Sequence, residues 1–237
     1  MDQVAKNLAE VLERIADAAS AAGRDPSEVT LVGVTKYVGA APAAELAKAG
    51  CRYLGENRPQ QLWDKADDPA FASLDVDWHM IGHLQRNKVP RTVALSSLIH
   101  SVDSERLLAA IDKAAAELGK RQPVLLEVNC SGDSSKHGFT ADALKEFVPK
   151  LDEFPTVDVL GLMTIASGDR QLSTAADNFR ELRTLRDELQ QVAPQGVELW
   201  ELSMGMSGDF EIAIAEGATL VRVGSALWQG VDLPPMG

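Results

Sequence analysis

The chain opens on a helical pattern: Val4, Leu8, Val11, Leu12, Ile15 and Ala19 recur every three or four positions across residues 2–22. Gly23 and Pro26 end it. The period then changes. Residues 29–36, Val-Thr-Leu-Val-Gly-Val-Thr-Lys, are a β-branched apolar run that reads as a buried strand and stops at Lys36. From there strands and helices trade places. A helix over Pro42–Lys48, closed by Gly50, leads to a strand at Arg52–Gly55, and the turn at Glu56–Pro59 opens a helix through Trp63. Further strands are predicted at Val76–Ile81, Ser97–Ser101, Pro123–Val128, Val157–Leu162, Val197–Leu202 and Thr219–Val223. One helix follows a cap at Asp103 or Ser104 and carries Leu107, Leu108, Ile111, Ala115 and Leu118 on one face. Others cover Ala141–Lys150, Ser173–Gln190 and Asp209–Ala215, and Ser225 starts a last short segment.

About eight such alternations predict a parallel sheet with helical crossovers. The fold class is therefore α/β: a (β/α)8 TIM barrel with an extra N-terminal helix, one domain over residues 1–237. No glycine-rich dinucleotide fingerprint follows the first strand, which disfavours an open, doubly wound sheet.

Charge narrows the partners. The formal net charge is -12, from 23 basic and 35 acidic residues, and no basic stripe stands out, so nucleic acid and anionic membrane are poor partners. No run approaches transmembrane length, and the polar N-terminus lacks a signal core. Cys51 and Cys130 have no metal spacing and read as reduced thiols, so a cytoplasmic protein is expected. No interface helix stands out, and a monomer is the default expectation.

In a barrel, chemistry sits where strands end. Lys36 ends the first strand, and it reads either as a solvated charge or as an amine awaiting an electrophile. Ser203, Gly205 and Ser207, then Gly224 and Ser225, lie in the turns after strands seven and eight, where barrels bind phosphate through backbone amides and hydroxyls. Alternation puts Arg222 on the face opposite Val221 and Val223, hence inward. An inward lysine, an inward arginine and a phosphate cradle together suggest pyridoxal 5′-phosphate (PLP). His79 and His83 would suit a metal on a helix, but their segment reads as strand with Gly82 between them, so no metal is expected from that pair. His79 and His100 are expected to be hydrogen-bonded inside the barrel, and Met204 and Met206 to pack around the site.

The chain resembles the YggS/PROSC family of PLP-binding barrel proteins over nearly its whole length. The matching stretches are LVGVTK with Lys36, LGENRPQQ, WHMIGHLQRNK, IHSVDS, LEVNCSGDSSKHGF, GLMTI and ELSMGMSGDFEIAIAEGATLVRVGSALW, in the family order. The family is similar to the N-terminal domain of alanine racemases, a fold-type III PLP barrel. The resemblance implies that Lys36 holds PLP as a Schiff base, that Ser207, Gly224 and Ser225 hold phosphate, and that Arg222 stands beside the ring nitrogen. Asn57 and His83 match family positions near the ring, and Ser203 and Met204, at the end of strand seven, are counted with the cofactor-binding residues. Two departures are visible. Tyr37 and Val38 stand where the family has lysine and proline, and His137 follows Lys136 where it more often has a small residue.

The resemblance implies PLP (vitamin B6) homeostasis without established turnover. The reading favoured here is a protein that stores PLP or delivers it to PLP-dependent apo-enzymes, with Lys136, on the loop after strand five, a candidate second attachment point. The alternative is a low-activity PLP-dependent amino-acid racemase. That reaction needs a second base opposite the first, which alanine racemases take as a tyrosine from an added domain. This chain has only Tyr37 and Tyr53 and ends just past strand eight. A phosphosugar-type barrel enzyme without PLP is the further alternative.

Overall fold

A computed structural model describes residues 3–130, 137–165 and 172–233. Eight parallel strands close into a barrel in sequence order, from β1 (Thr30–Val34), β2 (Tyr53–Glu56), β3 (Asp77–Met80) and β4 (Leu98–Val102) to β5 (Gln122–Glu127), β6 (Val157–Met163), β7 (Glu201–Ser203) and β8 (Leu220–Val223). Around them lie α1 (Gln3–Ala21), α2 (Ala40–Lys48), α3 (Pro59–Ala66), α4 (Val89–Leu95), α5 (Glu105–Glu117), α6 (Ala141–Phe147), α7 (Leu172–Gln190) and α8 (Phe210–Ala215). The barrel expected from the alternating pattern is the fold observed.

Period-two alternation sorts the side chains into two cores. Val32, Val34, Ile81, Leu98, Leu125, Met163 and Leu220 pack together inside the barrel. Val221, Val223, Leu54, Met80 and Leu126 face outward into the larger core shared with the helices. The N-terminal helix α1 buries Val4, Leu8, Val11, Ile15 and Ala19, and burying each of the larger side chains is worth about 1.5–3 kcal/mol. Asn7 on the same face donates to the carbonyls of Leu227 and Gln229, tying α1 to the chain beyond β8. Gly161 marks a close approach of β6 to β7: a Cβ there would lie 1.9 Å from the Glu201 carbonyl oxygen.

Some boundaries differ from the sequence pattern. Leu12 and Leu118 are 47% and 50% exposed, so neither joins its helix's buried face. Strand β7 starts at Glu201 rather than Val197, because the Gln190 side chain takes the Val197 carbonyl and the Leu199 N–H out of the ladder. Helix α4 has no counterpart in the sequence reading. Its short buried set, Val89, Thr92 and Val93, is too brief to show a period.

Candidate functional site

The site lies at the carboxyl ends of β1, β2, β3 and β8. It is a cavity of about 400 Å³ lined by Lys36, Asn57, Ser207, Arg222, Gly224 and Ser225, with Val34, Ile81 and Gly82 among its walls. Tyr37, Ile165 and Met206 also border it and are largely exposed.

Lys36 follows β1 on a fixed corner. The two carbonyls before it are both engaged: Trp228 Nε1 donates to the Val34 oxygen at 2.9 Å, and Lys65 Nζ donates to the Thr35 oxygen at 2.8 Å. Lys65 also forms a short ion pair with Glu56, whose Oε1 accepts a 2.6 Å bond from the Thr35 hydroxyl. All three side chains are buried on the outer face of the barrel wall. The Lys36 amine is half-buried, 4.8 Å from the centroid of the Tyr37 ring. A primary amine on a rigid turn at a cavity edge is placed to condense with a carbonyl compound.

Arg222 comes from β8 and is 4% exposed. Its Nη1 donates to Ser203 Oγ at 2.6 Å and its Nη2 to the Thr164 carbonyl at 2.8 Å. Burial pushes its pKa down to about 10, while Asp209 and Glu127 pull it up, so it stays charged at neutral pH. The chain of bonds continues inward. Ser203 Oγ lies 2.8 Å from His100 Nδ1, and His100 Nε2 lies 3.0 Å from His79 Nδ1. Arginine only donates, so Ser203 accepts from it. The serine hydroxyl and the two imidazoles complete the chain, each neutral ring offering one N–H and one lone pair to its neighbours. Both imidazoles are neutral: burial pushes His79 down to about 4, and burial, His79 and Arg222 push His100 well below the ordinary histidine value.

Across the cavity the turns after β7 and β8 bring two backbone amides and a hydroxyl together. The Ser207 hydroxyl oxygen accepts from the N–H of Gly224 at 3.1 Å and of Ala226 at 3.4 Å. Two amides converging on one oxygen are what anionic oxygens need. Gly205 makes the turn possible: its φ is +91°, and a Cβ would sit 2.6 Å from that of Ala213.

The structure therefore gathers Lys36, Asn57, Ser207, Arg222, Gly224 and Ser225 around one cavity. Gly82 lies so close to Asn57 that a Cβ would come 2.3 Å from its carbonyl oxygen. Ser203 sits beneath the cavity, behind Arg222. Met204 is fully buried in the outer core and does not pack around the cavity; Met206 does. His83 is not among the lining residues. It is exposed and contacts Asp103, whereas His79 is inside the barrel, so the two histidines are not brought together. Lys136 lies outside the described residues. Sequence reasoning did not single out Lys65, Glu56 or Trp228; the signal available was a glutamate closing an otherwise apolar strand at Gly55-Glu56.

The chain belongs to the family of alanine racemase N-terminal domains, whose pattern matches residues 6–231. Within that class, it is 43% identical to the pyridoxal phosphate homeostasis protein of Aquifex aeolicus (strain VF5) over 223 residues, which cover 94% of this chain and 96% of that protein. It is similar to the structure of PipY from Synechococcus elongatus PCC7942 with PLP bound, with a TM-score of 0.83 and 38% identity, covering 94% of this chain and 99% of that one. The alanine racemase of Clostridium difficile 630 shares the fold alone, with a TM-score of 0.71 at 17% identity over 99% of this chain and 59% of that one.

Proposed function

We propose that this protein binds PLP in the cavity, retains it covalently on Lys36, and serves PLP homeostasis by holding the cofactor and handing it to PLP-dependent apo-enzymes. The observation that carries this reading is the convergence of a primary amine, a buried arginine and a pair of backbone amides on one cavity of about 400 Å³. The likeness to PipY with PLP bound and to a protein named for PLP homeostasis supports it. When bound, PLP supplies an aldehyde that condenses with a primary amine. The chain's own residues do the rest. Lys36 offers the amine from a corner whose preceding carbonyls are pinned. Ser207, Gly224, Ser225 and the Ala226 N–H would take the phosphate. Arg222, a pure donor, would face the pyridine nitrogen and keep it unprotonated, which weakens the ring as an electron sink and suits holding over turnover. Ser203 positions Arg222. Asn57 would border the ring.

A racemase needs a base across the ring from the lysine. Tyr37 is beside Lys36, its ring 4.8 Å from the amine, rather than opposite it. Free thiols at Cys51 and Cys130 fit a cytoplasmic setting, and no helix among the described residues is long and apolar enough to cross a membrane. We take the working unit to be the monomer.

The visible spectrum of the purified protein tests the reading. A yellow protein, decolourised by borohydride with the adduct mapped to Lys36 and absent from Lys36→Ala, is the expected result. A colourless chain that cannot be loaded with PLP overturns it. Conversion of one amino-acid enantiomer, lost in Lys36→Ala, would replace it with the racemase reading.

A further inference from the structure

Two of the chain's four histidines are committed inside the barrel; the other two meet outside it. His83 follows Gly82 after β3, Asp103 follows β4, and His137 lies ahead of α6. The His83 and His137 rings stack with centroids 4.3 Å apart and planes 18° from parallel. Both Nδ1 atoms face one carboxylate oxygen: Asp103 Oδ2 is 3.2 Å from that of His83 and 3.8 Å from that of His137. The three donor atoms lie within 4.8 Å of one another. We propose that His83, Asp103 and His137 form a divalent transition-metal site that takes Zn²⁺ beside the mouth of the cavity.

Hydrogen bonding alone does not account for this arrangement. At 3.8 Å the His137–Asp103 contact is too long for a hydrogen bond, yet its Nδ1 is turned toward the carboxylate. A metal accounts for the convergence. Tetrahedral Zn²⁺ with ligands at about 2.0–2.1 Å sets its donor atoms roughly 3.3 Å apart. The His83–Asp103 separation is already of that size, the His137–Asp103 separation needs to close by about half an ångström, and the two imidazole nitrogens, within 4.8 Å of each other, must draw together as well. An imidazole holds a metal in its own ring plane, so the two rings must also turn out of their near-parallel stack; at 46% and 63% exposure their side chains have room to do so. Asp103 is better anchored, at 12% exposure, with its Oδ1 accepting from Ser104 Oγ at 3.0 Å. An outer partner of this kind orients a metal ligand.

The donor chemistry chooses the metal. Two imidazoles and one carboxylate suit Zn²⁺ and its neighbours Co²⁺, Ni²⁺ and Cu²⁺, whereas Ca²⁺ and Mg²⁺ call for oxygen donors throughout. Three protein ligands leave a coordination position open to water or to an incoming group. Because the ligands follow β3, follow β4 and precede α6, a bound ion ties three barrel corners together. The proposal does not depend on PLP: none of the three residues lines the cavity, although Gly82, next to His83, does.

Calorimetric titration of the EDTA-treated, tag-free full chain with zinc sulfate tests it, with Co²⁺ absorption as a second readout. The expected result is one equivalent bound with micromolar affinity and visible Co²⁺ bands of a nitrogen-oxygen site. Asp103→Asn and His137→Ala should each weaken binding about tenfold or more, since even loss of an outer partner commonly costs that much. His137→Ala, at an exposed position, should unfold at the wild-type temperature in EDTA and lose the zinc-induced rise. Absence of saturable binding, or binding unchanged in both variants, overturns the site. Should Asp103→Asn fail to fold, His137→Ala decides alone.

Discussion

Two buried cations stand close to the cavity, and the fold treats them differently. Lys65 is 5% exposed and meets the Glu56 carboxylate directly, with the Thr35 carbonyl as its second acceptor. Arg222 is 4% exposed and makes no ion pair among the described residues; its bonds go to a hydroxyl and a carbonyl. Glu127 and Asp209 act on it only through space. A buried charge normally needs a partner, because removing it from water is costly. Lys65 has that partner within the protein and is structural: it holds the corner that presents Lys36. Arg222 keeps its charge at the cavity wall with no carboxylate in contact among the described residues. The compensated charge fixes the backbone, and the other is the one the proposed function gives to the ligand.

The largest expected effect comes from breaking the compensated pair. Lys65→Met strands Glu56, fully buried and with Oε2 already lacking a hydrogen-bond partner, and frees the Thr35 carbonyl. Urea unfolding should show a loss of about 3–5 kcal/mol. The double variant Lys65→Met/Glu56→Leu should recover most of it, since no lone charge then remains buried. A single-variant cost below about 1 kcal/mol would mean that the pair does not anchor the corner.

The next effect probes the other cation, whose neutral partners must stay neutral. An unfolded histidine titrates near 6.5, while His79 in the fold is pushed down to about 4. Protons therefore bind the unfolded chain preferentially between those values, and stability is lost as pH falls through that window and is flat above it. For His79 alone the loss is about 2 kcal/mol at pH 5 relative to pH 8; His100 is displaced the same way and deepens it. Urea midpoints at the two pH values measure this. His79→Gln keeps a hydrogen-bond partner for His100 while removing one titration, so its loss should be clearly smaller. An identical pH slope in that variant would place the titrating groups elsewhere.

Much of this geometry was legible in the sequence where a periodic rule governs it. Alternation placed Arg222 inward opposite Val221 and Val223, and the strand-end rule placed Lys36, Asn57, Ser207 and Gly224 on one rim. It failed where side chains cross between elements. Glu56 and Lys65 lie nine residues apart on a strand and a helix, and their meeting depends on how α3 rests on the barrel. Trp228 reaches Val34 across 194 positions. Met204 and Met206 are two residues apart in one turn, so the sequence treated them alike, while the turn at Gly205 sends one into the outer core and the other to the cavity. His83 was grouped with the cavity because it matches a family position near the ring, but the chain beyond β3 turns it toward Asp103.

The smallest effect isolates the anionic end of the proposed ligand, which the turns after β7 and β8 would hold while Arg222 faces the ring. Ser207→Ala removes a half-buried hydroxyl and leaves the Gly224 and Ala226 N–H groups to water. Stability should change by no more than about 0.5 kcal/mol, as at other sites away from the core. PLP retention should weaken about tenfold, roughly 1.4 kcal/mol, the scale of one hydrogen bond to a charged group. Pyridoxal, which has the aldehyde but no phosphate, should bind the variant and the wild type equally. Equilibrium dialysis of both compounds against both proteins gives the ratio. If the two compounds weaken together, these turns are not where phosphate sits.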